Sequence, residues 1–206
     1  MSKITNTQLH LVEAASAGSS TAGEGQIWVD TKTPNRLMFT DDTGIDCGIS
    51  KTLSSLVTTT GGTAILFGGI PDGVSEVTIM YSGLSWNGTD DTIITLGDAG
   101  GLETAGYIQS GQMHVGTADY ATTDTAFFRF ASDVATENCS GMIILKLMAA
   151  ATNLWSCMAM NGSDQAVHSC CAGTKALSGV LTQVNFTTTS SSNTIDANGG
   201  VSMEYS

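Results

Sequence analysis

Six acidic residues, Asp90, Asp91, Asp98, Glu103, Asp119 and Asp124, fall in one glycine- and threonine-rich stretch. Grouped carboxylates can hold a hard cation or cut a glycosidic bond. Calcium needs six to eight oxygens from a constrained loop. The run Gly97-Asp98-Ala99-Gly100-Gly101-Leu102-Glu103 supplies two carboxylates and lacks the D-x-[DN]-x-[DN]-G order. Glycoside hydrolysis needs two carboxyl groups across one groove, and the spacing places no such pair. The acids are therefore expected to be solvated or turn-forming. His10, His114 and His168 are isolated in sequence, with no H-x-x-x-H or H-E-x-x-H pattern. Ser110 lies in Gln109-Ser110-Gly111 without the first glycine of a nucleophile elbow. The five cysteines, Cys47, Cys139, Cys157, Cys170 and Cys171, are odd in number and irregular in spacing. That fits neither a disulfide framework nor a C-x-x-C metal knuckle, so they read as small buried hydrophobes in strands. No catalytic residue, metal or cofactor is expected, and the chain does not read as an enzyme.

The other chemistry is that of contact. Trp86, Tyr107 and Tyr120 lie in or beside expected loops, and Asn87 follows Trp86 in Ser85-Trp86-Asn87-Gly88. Exposed aromatic rings stack on sugars and anchor protein interfaces. These four residues are the candidates for touching a receptor. Trp155, inside an expected strand, reads as core.

Charge narrows the partners. The net charge is −12, and the last 155 residues hold three bases against thirteen acids. A phosphate backbone would be repelled, which argues against nucleic-acid binding, and an anionic membrane surface is disfavoured for the same reason. The longest apolar run, 142–151, is broken by Lys146 and falls short of the ~20 residues of a membrane span. The N-terminal Met-Ser-Lys-Ile-Thr-Asn has no apolar core of a signal peptide, so synthesis in a reducing cytoplasm is expected. Only 13% of residues are charged, against ~25% in ordinary soluble domains. Glycine, serine and threonine fill the difference, as in many-stranded proteins with polar, uncharged surfaces.

The elements that must position these residues are strands. Val77, Ile79 and Tyr81 alternate with Thr78, Met80 and Ser82, the period of a half-buried strand. Asn87-Gly88 is expected to make a tight turn, with Ile93-Ile94-Thr95-Leu96 pairing back onto that strand. Residues 1–50 are read as an attachment and oligomerisation arm, with a small β-meander of strands at 26–29, 36–40 and 45–49 and corners at Pro34-Asn35 and Asp41-Asp42-Thr43-Gly44. Residues 16–25 read as a flexible linker and 51–62 as a second one. The body, 63–206, is expected to have strands at 63–67, 76–82, 92–96, 106–110, 112–115, 126–131, 141–148, 154–160, 165–171, 174–177, 180–187 and 200–205. No stretch shows helical periodicity beyond two turns. The fold class is all-β: an antiparallel, jelly-roll-like β-sandwich behind an extended arm.

Two stretches carry a resemblance. Residues 23–46, G-E-G-Q-I-W-V-D-T-K-T-P-N-R-L-M-F-T-D-D-T-G-I-D, resemble a short module of bacteriophage fibre and appendage proteins, with Trp28-Val29, Pro34-Asn35, Phe39 and Asp41-Asp42-Thr43-Gly44 in its places. Cys47-Gly48-Ile49 stands where the module usually ends in leucine. Residues 69–85, G-I-P-D-G-V-S-E-V-T-I-M-Y-S-G-L-S, with 94–107, I-T-L-G-D-A-G-G-L-E-T-A-G-Y, are similar to a domain of phage and prophage tail-fibre proteins; 140–147 and Leu154-Trp155 match it more loosely. The resemblance implies a structural virion protein made in the bacterial host and carried on the virion surface. It implies a homotrimer joined near its attachment end, with Ile27, Trp28, Leu37 and Phe39 at the attachment or oligomer interface. The expected role is a short tail fibre or tail appendage whose body touches a host glycan or surface protein. The alternative is a capsid decoration protein or head fibre held by its arm. Other partners are further virion proteins of the tail, baseplate or capsid.

Overall fold

The alternation in 76–84 does what its period dictates. Val77, Ile79 and Tyr81 are buried, Thr78 and Met80 are half-buried on the opposite face, and Ser82 is exposed. This strand is central to a computed structural model that describes residues 13–14, 18, 23–30, 36–44, 46–48, 51–58, 61–130, 135, 137–195 and 199–206. The described structure is nearly all β, with antiparallel sheets in a sandwich-like arrangement. The chain divides into two compact units, 1–52 and 53–205.

The first unit is a four-stranded sheet: β1 (Glu13–Ala14), β2 (Gln26–Asp30), β3 (Arg36–Thr40) and β4 (Asp46–Gly48). β2 to β4 form the expected antiparallel meander, and β1 lies parallel to β2. Trp28 pairs with Met38 and both are buried; the Trp28 indole N–H donates to Thr40 Oγ1 at 2.8 Å. The Asp41–Gly44 corner is built by its aspartate, as Asp-led turns are. Asp41 Oδ1 accepts from the Thr43 amide (2.9 Å) and hydroxyl (2.7 Å), and Gly44 takes φ 86°. The Pro34-Asn35 corner and most of 16–25 lie outside the described residues.

The second unit contains β5 (Thr52–Leu53), on which the boundary falls, then β6 (Val57–Thr58), β7 (Ala64–Gly68), β8 (Glu76–Leu84), β9 (Thr92–Asp98) and β10 (Gly101–Leu102). It continues with β11 (Tyr107–Val115), β12 (Ala118–Asp124), β13 (Phe128–Phe130), β14 (Cys139–Ala149), β15 (Leu154–Ser163), β16 (Val167–Ala176), β17 (Gln183–Thr188) and β18 (Gly200–Tyr205). The smaller sheet runs β10-β9-β17-β7, with β13 also on β9. The larger runs β12-β11-β16-β15-β14-β8-β18-β5, with β6 also on β18. The pairs nest: β11 with β12, β9 with β13, β8 with β14, β7 with β17. That is one two-stranded ribbon rolled over itself, the winding of a jelly roll. β15 and β16 are an inserted hairpin that widens the larger sheet between β14 and β11.

Four sequence expectations change. Ile93–Leu96 does not pair back onto β8; β9 lies in the opposite sheet, on β17. The chain crosses the end of the sandwich between β8 and β9, because Trp86 turns inward and bridges Ile195 rather than leading a tight turn. Residues 51–62, expected as a linker, are tied into the body: Ser54 N donates to Met203 O (2.7 Å) and Ile195 N to Gly62 O (2.8 Å). Segments 106–110 with 112–115, and 165–171 with 174–177, each form one long strand. The polar β12 shows no alternation and was not expected; its register on β11 makes it a strand.

One core joins the two sheets. Val77, Ile79, Ile143, Leu145, Trp155 and Val201 face Ile94, Leu96, Phe128, Val184 and Phe186, all at or near zero exposure. Phe186 sits among rings, with centroids 5.4 Å from Tyr81, 5.9 Å from Phe130 and 6.3 Å from Trp86. Gly141, opposite Tyr81, leaves room for that ring, since a Cβ there would overlap the Tyr81 hydroxyl, which donates to Asn161 Oδ1 at 3.0 Å. Among the described residues no helix is long and apolar enough to cross a membrane.

Candidate functional site

The β9–β10 turn and the segment after β16 bring the acids of the Gly97–Glu103 run to one place. Ser178 Oγ lies 2.7 Å from Asp98 Oδ2 and 2.8 Å from Glu103 Oε1, and the Ser178 amide donates to Glu103 Oε1 at 2.7 Å. Lys175, on the inner face of β16 and 4% exposed, forms an ion pair with Glu103 and donates to Ala176 O at 2.8 Å. Its ammonium also lies 5.4 Å from the centre of the Tyr107 ring. The Tyr107 hydroxyl accepts from Leu96 N (2.7 Å) and donates to Glu103 O (3.0 Å).

Charge follows geometry here. The Ser178 hydroxyl and the Gly100 amide hold the Asp98 carboxyl below its ordinary range. Burial pushes Glu103 up, but Lys175 and Ser178 outweigh it, and Glu103 too stays below its ordinary range. Lys175 therefore supplies the positive charge that a cation would bring, and the cluster clamps β9 and β10 to the end of β16. Sequence reading had paired Asp98 with Glu103 as the run's two carboxylates and missed Lys175, which sits 72 residues from Glu103. An inward lysine in a strand gives no local signal.

The remaining acids are used one at a time. Asp91 pairs with Arg129, Asp90 accepts from Ser190, and Asp124 Oδ1 accepts from the Thr125 (2.7 Å) and Ala126 (2.8 Å) amides. Among the described residues no three metal-ligating side chains gather to hold an ion. The sheet joins two histidines that sequence shows apart: His114 and His168 pair across β11 and β16, with rings stacked at 4.9 Å. Asp119 Oδ1 lies 2.7 Å from His114 Nδ1 and raises its pKa. That pair resembles the base and orienting acid of a triad. Among the described residues no serine or threonine hydroxyl is hydrogen-bonded to His114. Cys139, Cys157 and Cys171 are free and buried, Cys170 is free and exposed, and burial pushes the Cys139 thiol up to about 12. The Cys47 side chain is outside the described residues.

The expected contact residues separate. Trp86 is 2% exposed, its indole N–H donating to Thr92 Oγ1 at 2.9 Å and its ring stacked on Phe186. Tyr107 is 1% exposed within the clamp. Both were expected in or beside exposed loops; both are core, because each polar tip finds an acceptor inside while its ring fills the space between sheets. Asn87 is exposed and tied to the segment before β18, its Oδ1 accepting from Thr194 N at 2.9 Å. Tyr120 is exposed on β12, on the side of the sheet that carries its pairing partner Met113. In the first unit Ile27 and Phe39 pair across β2 and β3 and are exposed, Leu37 is half-buried, and Trp28 is buried. Trp155 is core, as expected.

No protein family, curated protein or solved structure matches this chain. The structure defines its class, an antiparallel jelly-roll sandwich preceded in the chain by a small β-meander.

Proposed function

We propose that this chain is a structural protein of a tailed bacteriophage, a short tail fibre or tail appendage whose sandwich contacts the host surface. One observation carries the reading. The two stretches that resemble phage appendage proteins, 23–46 and the set beginning at 69, fall in two different compact units, a β-meander and a jelly-roll body. On this reading the meander attaches and trimerises the chain, with the exposed Ile27–Phe39 pair as its apolar contact. The body offers a host glycan or protein its exposed side chains. Asn87 and Tyr120 stay as contact residues; Trp86 and Tyr107 leave the set because their rings are enclosed. Three weak sites on one trimer gain by avidity, since later contacts become intramolecular.

Immunogold electron microscopy of virions with antibody to this chain tests the reading. Gold at the tail or baseplate is expected. Gold spread over the head would make the chain a capsid decoration protein or head fibre, and unlabelled virions would remove the proposal. Tyr120→Ala is expected to leave stability within about 0.5 kcal/mol, as surface changes usually do, while slowing adsorption to host cells. Unchanged adsorption would remove Tyr120 as a contact.

A further inference from the structure

The larger sheet has a second apolar face, turned away from the core. Its middle row runs straight across six strands: Met80, Met142, Met160, Cys170, Gln112 and Ala121. The next row carries Ile144, Met158, Ala172 and Ser110. Met142, Met158 and Met160 are 45%, 53% and 65% exposed, and Ile108 extends the face at 74%. Two shallow hollows of about 600 and 430 Å³ lie along it, divided by Met160. Between β8 and β12 neither row contains a charged residue, in a chain of net charge −12.

We propose that this face is covered by a second copy of this chain. Two features select a copy over other occupants. The first is charge. Like charges brought together across an interface cost several kcal/mol, so two copies of an acidic protein can meet only where acids are absent or already paired. Here the apolar rows are uncharged, and the flanking rows carry internally matched pairs, Lys146 with Glu76 (2.9 Å) and His114 with Asp119 (2.7 Å). The second is size. Six strands at about 4.8 Å each and four rows, the two apolar ones and the two that flank them, at roughly 6.8 Å each give about 780 Å² in flat projection. The accessible area of a corrugated face is larger than its projection, close to the ~800 Å² per partner of a stable interface. This inference concerns the body alone and stands whether or not the virion reading holds.

The full chain carries its own reporter, because Cys170 lies in the middle row and is exposed while Cys139, Cys157 and Cys171 are buried. Light scattering and sedimentation at micromolar concentration are expected to show an associated protein. The double variant Met142→Glu, Met160→Glu is expected to sediment as a smaller species than the natural chain, a trimer where the meander holds it as proposed above and a monomer where that reading fails, with an unchanged circular dichroism spectrum. Iodoacetamide labelling, read peptide by peptide, is expected to modify Cys170 about tenfold more slowly in the associated protein than in the dissociated one, because thiol reactivity follows access. A monomeric natural chain overturns the proposal. So does a double variant that folds and sediments with the same mass as the natural chain, or a Cys170 equally reactive in both states, which would put the contact elsewhere, for instance at Ile27 and Phe39. Should the double variant fail to fold, labelling of the natural chain at high and low concentration decides, with protection lost on dilution as the supporting result.

Discussion

The larger sheet has two apolar faces built from different residues. The inner face uses stiff, shaped side chains: Val77, Ile79, Tyr81, Ile143, Trp155 and Val201. The outer face uses Met80, Met142, Met158 and Met160, with small Ala172 and Cys170 between them. The inner face meets a partner fixed by the same chain, so every residue there is shaped against a known neighbour. Interiors are as dense as organic crystals, and β-branched and aromatic groups hold one arrangement at low entropic cost. Methionine is unbranched and adaptable, suited to a surface whose partner arrives from outside. The contrast is thus between an interface made by folding and one left for association.

The sharpest way to break that contrast is to truncate one residue on each side. Phe186→Ala, in the centre of the ring cluster, is expected to lose about 3–5 kcal/mol of folding stability. Met160→Ala is expected to stay within about 0.5 kcal/mol and to change association instead. Denaturant titration of both at protein concentrations low enough to be monomeric reads the difference. Equal losses would mean that the outer face is part of the folding core.

The Lys175–Glu103 ion pair comes next. Lys175→Met leaves half-buried Glu103 without its cation and is expected to cost about 1–3 kcal/mol, less than a fully buried pair because Glu103 is part-solvated and keeps its bonds from Ser178. It also changes the pH profile. Glu103 and Asp98 have folded pKa values below their ordinary 4.5 and 3.8, so the unfolded chain binds more protons in that range. The stability they contribute is present above the ordinary values and is lost as pH falls through the folded ones. The natural chain should therefore lose stability steeply below about pH 4.5, and Lys175→Met should flatten that part of the curve. Parallel acid curves for the two proteins would show that the clamp does not set the acid limit.

Smaller effects refine the inner face. Gly141→Ala forces a methyl group onto the Tyr81 hydroxyl and the Met160 carbonyl and is expected to cost about 1–3 kcal/mol by overpacking. Trp155→Phe is expected to cost less than about 1.5 kcal/mol despite full burial. The indole N–H has no hydrogen-bond partner among the described residues, so the packing lost with the second ring is partly offset by removing an unpartnered buried donor. Thermal melts of the two variants rank them, and a reversed order would mean that the Trp155 nitrogen is satisfied in solution.

Much of the architecture was legible in the chain. Period-two alternation at 76–82 and 200–205, turn residues every few positions and the lack of helical periodicity point to an all-β sandwich, because side-chain alternation is a local consequence of the extended backbone. The Asp41–Gly44 turn and the core position of Trp155 were legible for the same local reasons. The contact site was not. Trp86 next to Asn87-Gly88 looks like a loop tip, yet the turn faces inward because Phe186, a hundred residues on, offers it a ring. Asn87 and Tyr120 do lie at the surface, and nothing in their neighbours distinguishes them from Trp86 and Tyr107.

The sequence by itself determined composition, charge, strand periodicity and the two-part division of the chain, all of which depend on neighbours within a few residues. Only the tertiary structure decided which strands pair, that β8 and β9 lie in opposite sheets, and that Lys175 reaches Glu103. It also decided that four methionines from β8, β14 and β15 share one outer face. These are long-range matters. Strand partners in a rolled ribbon are set by how two sheets fill one core, and no local pattern encodes which distant residue will be across the gap.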